Sequence, residues 1–542
     1  MSESGAMRLS TSGRLSALFG FSVLLVLLTR WPLMPAHLYS FDSVNLALAL
    51  EDFDPTRNQP QPPGYPLFVA EARLLHRLFR TPERTFAALA ILISGLAVAV
   101  LYLLGKRMFS PGVGIIAAAL LFVNPPFWYS GLTSPLRPHL ALVSILVAYF
   151  CWRAIEGEWR YFYAASIALG LGSGFRPELL LVLLPLWGWV AWQSRQKVLF
   201  FRGLLLLGVT TTAWVAILIL VSGGVATASK TFFNYLLFQT SQTSPLLLGP
   251  EVGWRRMVGR AIIWTGLGTV PWIWTLPFGW LHRREWPEGK GRLLFLAVWF
   301  LPAFLFYLFI HIADPDHALS AIPSLCLLGA HCLWAAERRL ASLWAPPLNN
   351  TALAVGISLV GNCVLFLTPF PLPPLQPVAQ FRGWASVADA VRVGTYESSF
   401  PKVRWVEQMT ELSFKEIENL KSNTDKPVRL VWTRDGAPVW RIVCFYFPSE
   451  KVYALDEKGD PGVLVSMARL WAGNRAITTY SGDPPFRLPL PKGARLIWLI
   501  SPDSVDSLAR IVPLQKAPPL YYTDLAPDAP EFRIGSFEFV PQ

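Results

Sequence analysis

Eleven predominantly apolar runs punctuate the first 370 positions, at roughly 15–34, 86–104, 113–130, 139–153, 161–175, 178–194, 203–221, 258–281, 293–311, 318–335 and 351–370. A helix needs ~20 such residues to cross ~30 Å of hydrocarbon. The pattern therefore predicts a polytopic α-helical membrane protein with about 11 transmembrane helices. Several runs are short and proline-interrupted, at Pro125-Pro126, Pro185, Pro271 and Pro302. No small-x-small cleavage pattern follows the first run, so it reads as a retained anchor rather than a signal peptide. After residue 380 the pattern changes. A helix-like stretch at 412–422, with Ser413 as its possible cap, precedes strand-like runs at 428–432, 440–446 and 495–500. Helical patterns near 462–472 and 503–511 alternate with these, which predicts a C-terminal soluble α/β domain over 381–542. Residues 371–380, rich in proline, read as a stiff linker between a 1–370 membrane domain and that domain.

Composition supports this division. The chain is 53% hydrophobic and 15% charged, against about 25% charged in soluble domains. Residues 1–370 hold 27 Lys and Arg against 16 Asp and Glu, whereas the rest holds 20 against 19. The cationic excess lies between apolar runs, as expected of loops retained in the cytoplasm, so no nucleic-acid partner is expected. With the N-terminus inside, fifteen of those 27 cations fall in cytoplasmic segments. Eleven spans then put the C-terminal domain on the extracytoplasmic side, most simply of the cell's inner membrane. Cys151, Cys326, Cys332, Cys363 and Cys444 show neither a disulfide framework nor a zinc spacing.

The first outer loop, 35–85, carries the most chemistry. Asp42-Ser-Val-Asn45 opens an apolar stretch to Leu50, followed by Glu51, Asp52 and Asp54, then Gln61-Pro62-Pro63-Gly64-Tyr65-Pro66-Leu67. Asp42 suits the cap of a short helix, where its carboxylate satisfies free N–H groups. Glu51, Asp52 and Asp54 are harder to account for. Carboxylates at a helix C-terminus oppose its dipole by ~0.3–1 kcal/mol each. Pro62, Pro63, Gly64 and Tyr65 fix an extended path with one flexible residue, and read as a rigid turn shaping the loop.

An acidic loop directly after the first span, closed by Pro-Pro-Gly-Tyr-Pro-Leu, resembles the GT-C glycosyltransferases, closest to their protein O-mannosyltransferase-like branch. That branch has approximately Asp-Ser-x-Glu, a short helix, then His-Pro-Pro-Gly-Tyr-Pro-Leu. Here Asn45 stands in place of the Glu and Gln61 in place of the His, so the second acid must come from Glu51, Asp52 or Asp54, or be absent. The resemblance implies a GT-C-like helical domain that moves a sugar from a polyprenyl-phosphate donor to an acceptor hydroxyl at the outer membrane face, with Asp42 as the base. The expected partners are that lipid-linked donor, an acceptor that is protein, glycan or lipid, and membrane lipid. No cofactor and no metal are expected.

Arg137, in Ser134-Pro-Leu-Arg137-Pro-His139, and Arg176, in Gly174-Phe-Arg176-Pro-Glu178, are candidates for gripping the donor phosphate. Both lie in short outer loops, against the positive-inside tendency, and a planar guanidinium binds phosphate through two N–H groups. Interfacial snorkelling or an Arg176–Glu178 pair is the plainer account. His317, in Asp314-Pro-Asp316-His317, is a weaker phosphate candidate, and that segment alone makes an incomplete cation site. The competing functions are a lipid or polysaccharide transporter or flippase, and a noncatalytic glycan-binding relative. The spans are nearly free of charge near their middles, which favours interfacial chemistry over a transport path.

Overall fold

The computed structural model describes residues 11–244, 254–282, 289–312, 314–343, 350–368, 393–433, 436–456, 467–472, 477–480 and 484–542. The proline-rich run 371–380 lies outside them. The chain divides into two compact units. One takes in Met1–Met34, Asn45–Pro371 and Trp384–Lys402; the other Pro35–Val44, Leu372–Gly383 and Val403–Gln542. Ten residues at the start of the first loop thus fold with the C-terminal part of the chain.

The first unit is helical. Its elements are α1 (Thr11–Arg30), the greater part of α2 (Phe41–Glu51), α3 (Pro66–Phe79), α4 (Pro82–Met108), α5 (Pro111–Phe122), α6 (Pro125–Thr133), α7 (Pro138–Ile155), α8 (Arg160–Gly172), α9 (Glu178–Ser194), α10 (Lys197–Val221), α11 (Val225–Thr243), α12 (Trp254–Gly266), α13 (Leu276–His282), α14 (Gly289–Phe309), α15 (Ile322–Leu343) and α16 (Asn350–Leu367). Proline opens α3 to α7, where its missing N–H costs nothing.

Among the described residues, five helices are long and apolar enough to cross a membrane: 13–33, 82–108, 138–155, 197–221 and 291–309. The pair α5 and α6, bent by 53°, would make a sixth, and 178–194, 322–337 and 352–367 are shorter apolar helices. Eleven full spans were expected. The run 258–281, expected as one span, breaks into α12, two 3₁₀ turns and the start of α13, around Gly266, Gly268 and Pro271. Where hydrocarbon surrounds a helix pair, close van der Waals approach holds it together. At the α4–α5 crossing a Cβ on Gly105 would lie 2.8 Å from the Gly114 Cα, so glycine is required there.

The bend between α5 and α6 has a local cause. Pro125 and Pro126 cannot donate the hydrogen bonds that would continue α5, and Asn124 Oδ1 instead accepts from Phe127 N at 3.3 Å. The last carbonyls of α5 are left without helical partners. Arg30, fully buried at the end of α1, donates to the Phe122 carbonyl. Its guanidinium sits 3.9 Å from the Trp128 ring centroid and 4.9 Å from that of Phe122. A cation at the negative end of α5 thus tethers α1 to the break.

The second unit is built on a seven-stranded mixed sheet of order β4-β3-β2-β1-β6-β8-β7. Its strands are β1 (Val428–Thr433), β2 (Lys451–Asp456), β3 (Met467–Ala472), β4 (Ile477–Tyr480), β6 (Arg495–Leu499), β7 (Gln515–Ala517) and β8 (Leu520–Asp524). Parallel pairs β1–β2 and β1–β6 form its centre. A three-stranded sheet joins β5 (Phe486–Leu490), β10 (Phe537–Pro541) and β9 (Phe532–Ile534). Val431, Leu488, Leu496, Trp498 and Phe539 share one buried core.

Three local expectations change. The helix expected at 412–422 runs over Phe400–Ser422 (α17), which places Ser413 inside it, buried, rather than at its cap. The strand-like run 440–446 is a helix, α18 (Trp440–Tyr446), with Trp440 to Cys444 all buried. The helical pattern near 462–472 is replaced by β3, over the part that is described, paired antiparallel with β2. Propensity is a weak prior that tertiary pairing overrides.

Candidate active site

Asp42 lies in the first turn of α2. Ser40, not Asp42, supplies the cap: Ser43 N donates to Ser40 Oγ at 3.2 Å and Ser40 N to Ser43 Oγ at 2.8 Å. Asp42 stands at the positive end of the helix dipole. Asn45, three residues on, is fully buried in the first unit.

The acidic cluster after α2 has a local explanation. Arg57 Nη2 meets Asp52 Oδ2 at 2.7 Å and Arg57 Nε meets Asp54 Oδ2 at 2.6 Å. Asp54 also caps a short 3₁₀ turn, accepting from Thr56 N at 2.9 Å and Thr56 Oγ1 at 2.6 Å. These bonds hold its carboxyl below the usual range, against the opposing effect of partial burial. Glu51 is exposed at the end of α2.

The proline-glycine run forms the turn its composition suggests. Gly64 has φ +105°, and a Cβ there would lie 2.7 Å from Pro55 Cγ. Gln61 is buried, with its amide oxygen unpartnered. Tyr65 is buried at the start of α3 and accepts a hydrogen bond from Arg176 Nη1 at 3.2 Å. Two features far apart in sequence thereby meet.

Arg176 and Arg137 enter one buried polar cluster. Arg176, 6% exposed, donates from Nε to Glu178 Oε1 at 2.6 Å. Burial alone would weaken its charge, but Glu178 and Tyr65 outweigh it and raise its pKa above the ordinary value. Arg137, 5% exposed, points Nε toward Asp316 Oδ1 at 3.5 Å, and its Nη1 has no partner. Both guanidinium groups act on Glu178 and on His311. His311 and His317 have ring centroids 4.9 Å apart. Burial, with Arg176 next, lowers His311 to about 4. Burial, with Arg137 next, lowers His317 well below its usual value. Both rings are therefore neutral near pH 7, which limits His317 to hydrogen bonding. Asp314, Asp316 and His317 have ligating atoms within 4.8 Å of one another, but Asp316 already faces a guanidinium.

The turn bearing Asp316 and His317 (Pro315–Ser320) is braced. Tyr307 Oη and Ser320 Oγ lie 2.7 Å apart, Ser144 Oγ donates to the Ser320 carbonyl at 2.6 Å, and Trp299 Nε1 to Ser144 Oγ at 2.6 Å. Sequence reasoning missed two members of this neighbourhood. His139, two residues after Arg137, has Nε2 2.5 Å from Glu71 Oε1 and stacks on Phe175 at 4.6 Å. The pairing of Arg137-Pro-His139 was a usable signal; Glu71, on an ordinary amphipathic helix, offered none.

Residues 60–222 match the model of the dolichyl-phosphate-mannose-protein mannosyltransferase family. No curated protein matches the chain. The crystal structure of ArnT from Cupriavidus metallidurans bound to undecaprenyl phosphate is similar at TM-score 0.54 and 14% identity, over 95% of this chain and 98% of that one. The same protein in its apo state gives TM-score 0.52 and 15% identity with the same coverage. Apolar helices long enough to cross a membrane mark an integral membrane protein; over 60–222 it is similar to that mannosyltransferase family, and it shares the fold of the ArnT structures.

Proposed function

We propose that the protein transfers a sugar from a polyprenyl-phosphate donor to an acceptor hydroxyl at the extracytoplasmic face of the membrane. The observation that carries the donor class is the pair Arg137 and Arg176, buried together, with Arg137 Nη1 unpartnered. A fold shared with an ArnT structure that holds undecaprenyl phosphate supports it. In this reading Asp42 takes the proton of the acceptor hydroxyl while the acceptor oxygen attacks the anomeric carbon. The bond between that carbon and the phosphate oxygen breaks, and the polyprenyl phosphate leaves with the electron pair. Arg137 and Arg176 stabilise the charge developing on it. Neutral His317 contributes a hydrogen bond. Asp52 and Asp54 hold the loop through Arg57, Glu51 carries no assigned role, and the reading needs no metal ion.

The cluster's charged residues sit at helix ends: Arg137 before α7, Arg176 before α9, Asp316 before α15. That placement suits interfacial chemistry better than a translocation path, which would put polar groups near mid-span. The test is transfer from radiolabelled undecaprenyl-phosphate hexoses and pentoses to acceptor extracts by purified protein. Transfer by the wild type, abolished in Asp42→Asn, is expected. Transfer that survives in Asp42→Asn removes Asp42 as the base, and no transfer from any donor favours a transporter or a noncatalytic glycan-binding protein.

A further inference from the structure

We infer that the C-terminal domain acts in catalysis as a clamp on the segment that carries Asp42, so that Glu407 and Tyr446 are positioning residues for the proposed base. The inference rests on the assignment of Asp42 above. Residues 35–44 belong to the second unit, and the contacts that put them there are specific. The carboxylate of Glu407, on α17, accepts from Ala36 N at 3.0 Å and lies 2.8 Å from His37 Nδ1. Tyr446, at the end of α18, accepts from Leu38 N at 2.9 Å. The His37 ring packs edge-on between Phe414 of α17 at 5.2 Å and Tyr446 at 5.3 Å. Phe41 packs edge-on against Trp440 at 5.8 Å, with Arg441 5.8 Å from its ring centroid.

Two backbone N–H donors, at Ala36 and Leu38, and two aromatic rings, His37 and Phe41, are thereby fixed by two helices of the C-terminal domain. The chain then passes directly into the Ser40–Ser43 cap, and Asp42 lies between those two serines. A loop of this kind otherwise samples many backbone states, and fixing each residue costs conformational entropy. Side-chain acceptors from a folded domain offset that cost and leave the first turn of α2 one position. A base must stay within hydrogen-bond reach of its proton, and a displacement of about 1 Å costs on the order of 100-fold in rate.

The test uses the full chain with radiolabelled undecaprenyl-phosphate sugars as donors and follows kcat, donor KM and backbone amide exchange together. Glu407→Ala and Tyr446→Phe are expected to lower kcat by ~10–100-fold with donor KM changed less than about two-fold, the split expected when orientation rather than binding is lost. Amides 36–41 exchange faster in both, while those of β1 and β6 keep their protection. Glu407→Gln, which keeps an acceptor for Ala36 N–H, recovers most of kcat. Wild-type kcat in Glu407→Ala and Tyr446→Phe, with Asp42→Asn inactive, overturns the clamp and leaves the base assignment standing. Full transfer by Asp42→Asn overturns the base assignment and the clamp's catalytic role with it. Unchanged exchange at 36–41 in both variants overturns the clamp on structural grounds alone.

Discussion

Two groups of charges within the helical unit use the same side chains to different ends. In the first loop, Arg57 holds Asp52 and Asp54, with about half of the arginine side chain open to solvent. In the buried cluster, Arg137 and Arg176 meet Asp316 and Glu178 at 5–15% side-chain exposure. Water stabilises the charges of the first group whether or not they pair, so the pairs there contribute ~0–1 kcal/mol. The second group has surrendered its hydration, and a partner removed from it strands a charge at about 3–5 kcal/mol. Sequence drew attention to the acids of the first group; burial singles out the second, where we propose that charge does chemistry.

The sharpest way to break this contrast is Arg176→Leu. Leaving Glu178 buried and unpaired is expected to cost about 3–5 kcal/mol of stability and to abolish transfer. Thermal unfolding in detergent reads the first effect and the donor assay the second. Arg176→Leu with Glu178→Leu should recover most of the stability but none of the transfer; recovered transfer would show that Arg176 is only half of a structural pair.

Next in size is Arg137→Lys, which keeps the charge but loses the fork of N–H groups. Transfer should fall by ~10–100-fold through donor KM, at the ~1.5–3 kcal/mol of a charged hydrogen bond, with little loss of stability. An unchanged donor KM would remove the phosphate role.

A smaller, pH-dependent effect comes from His311. Its pKa is lowered to about 4 from an unfolded value near 6.5. Between those values the unfolded chain binds the proton and the folded chain does not, so stability is full above about 6.5 and declines as pH falls toward 4. His311→Gln should flatten that part of a stability–pH curve. An unaltered slope would mean the ring is not held neutral.

The smallest effect belongs to the exposed group. Arg57→Ala should change stability by less than ~1 kcal/mol, an effect that fades in high salt, and leave transfer within about two-fold. A loss of transfer near that of Arg176→Leu would return the acidic loop to the active site.

Much of the layout was legible in residues near one another. The helix after Asp42, expected to end near Leu50, ends at Glu51, because its apolar run and the polar residues beyond are local signals. Pro62-Pro63-Gly64 formed its turn for the same reason. Elsewhere local signals misled. Trp440-Arg-Ile-Val-Cys-Phe-Tyr446 has the aromatic and β-branched content of a strand, yet it is a helix with five consecutive residues buried. The break of 258–281 followed from Gly266, Gly268 and Pro271, which an average of apolarity along the run dilutes.

By itself the sequence determined that the chain meets lipid and which loops between its apolar runs carry charge. These follow from the cost of placing polar groups in hydrocarbon, which acts residue by residue. Only the tertiary structure decided that Arg57 accounts for Asp52 and Asp54, that Tyr65 meets Arg176, that Glu71 meets His139, and that residues 35–44 fold with the C-terminal domain. Each of those is a pairing across from three to about four hundred positions. What selects a partner is burial and reach in space, and neither is written at either position alone.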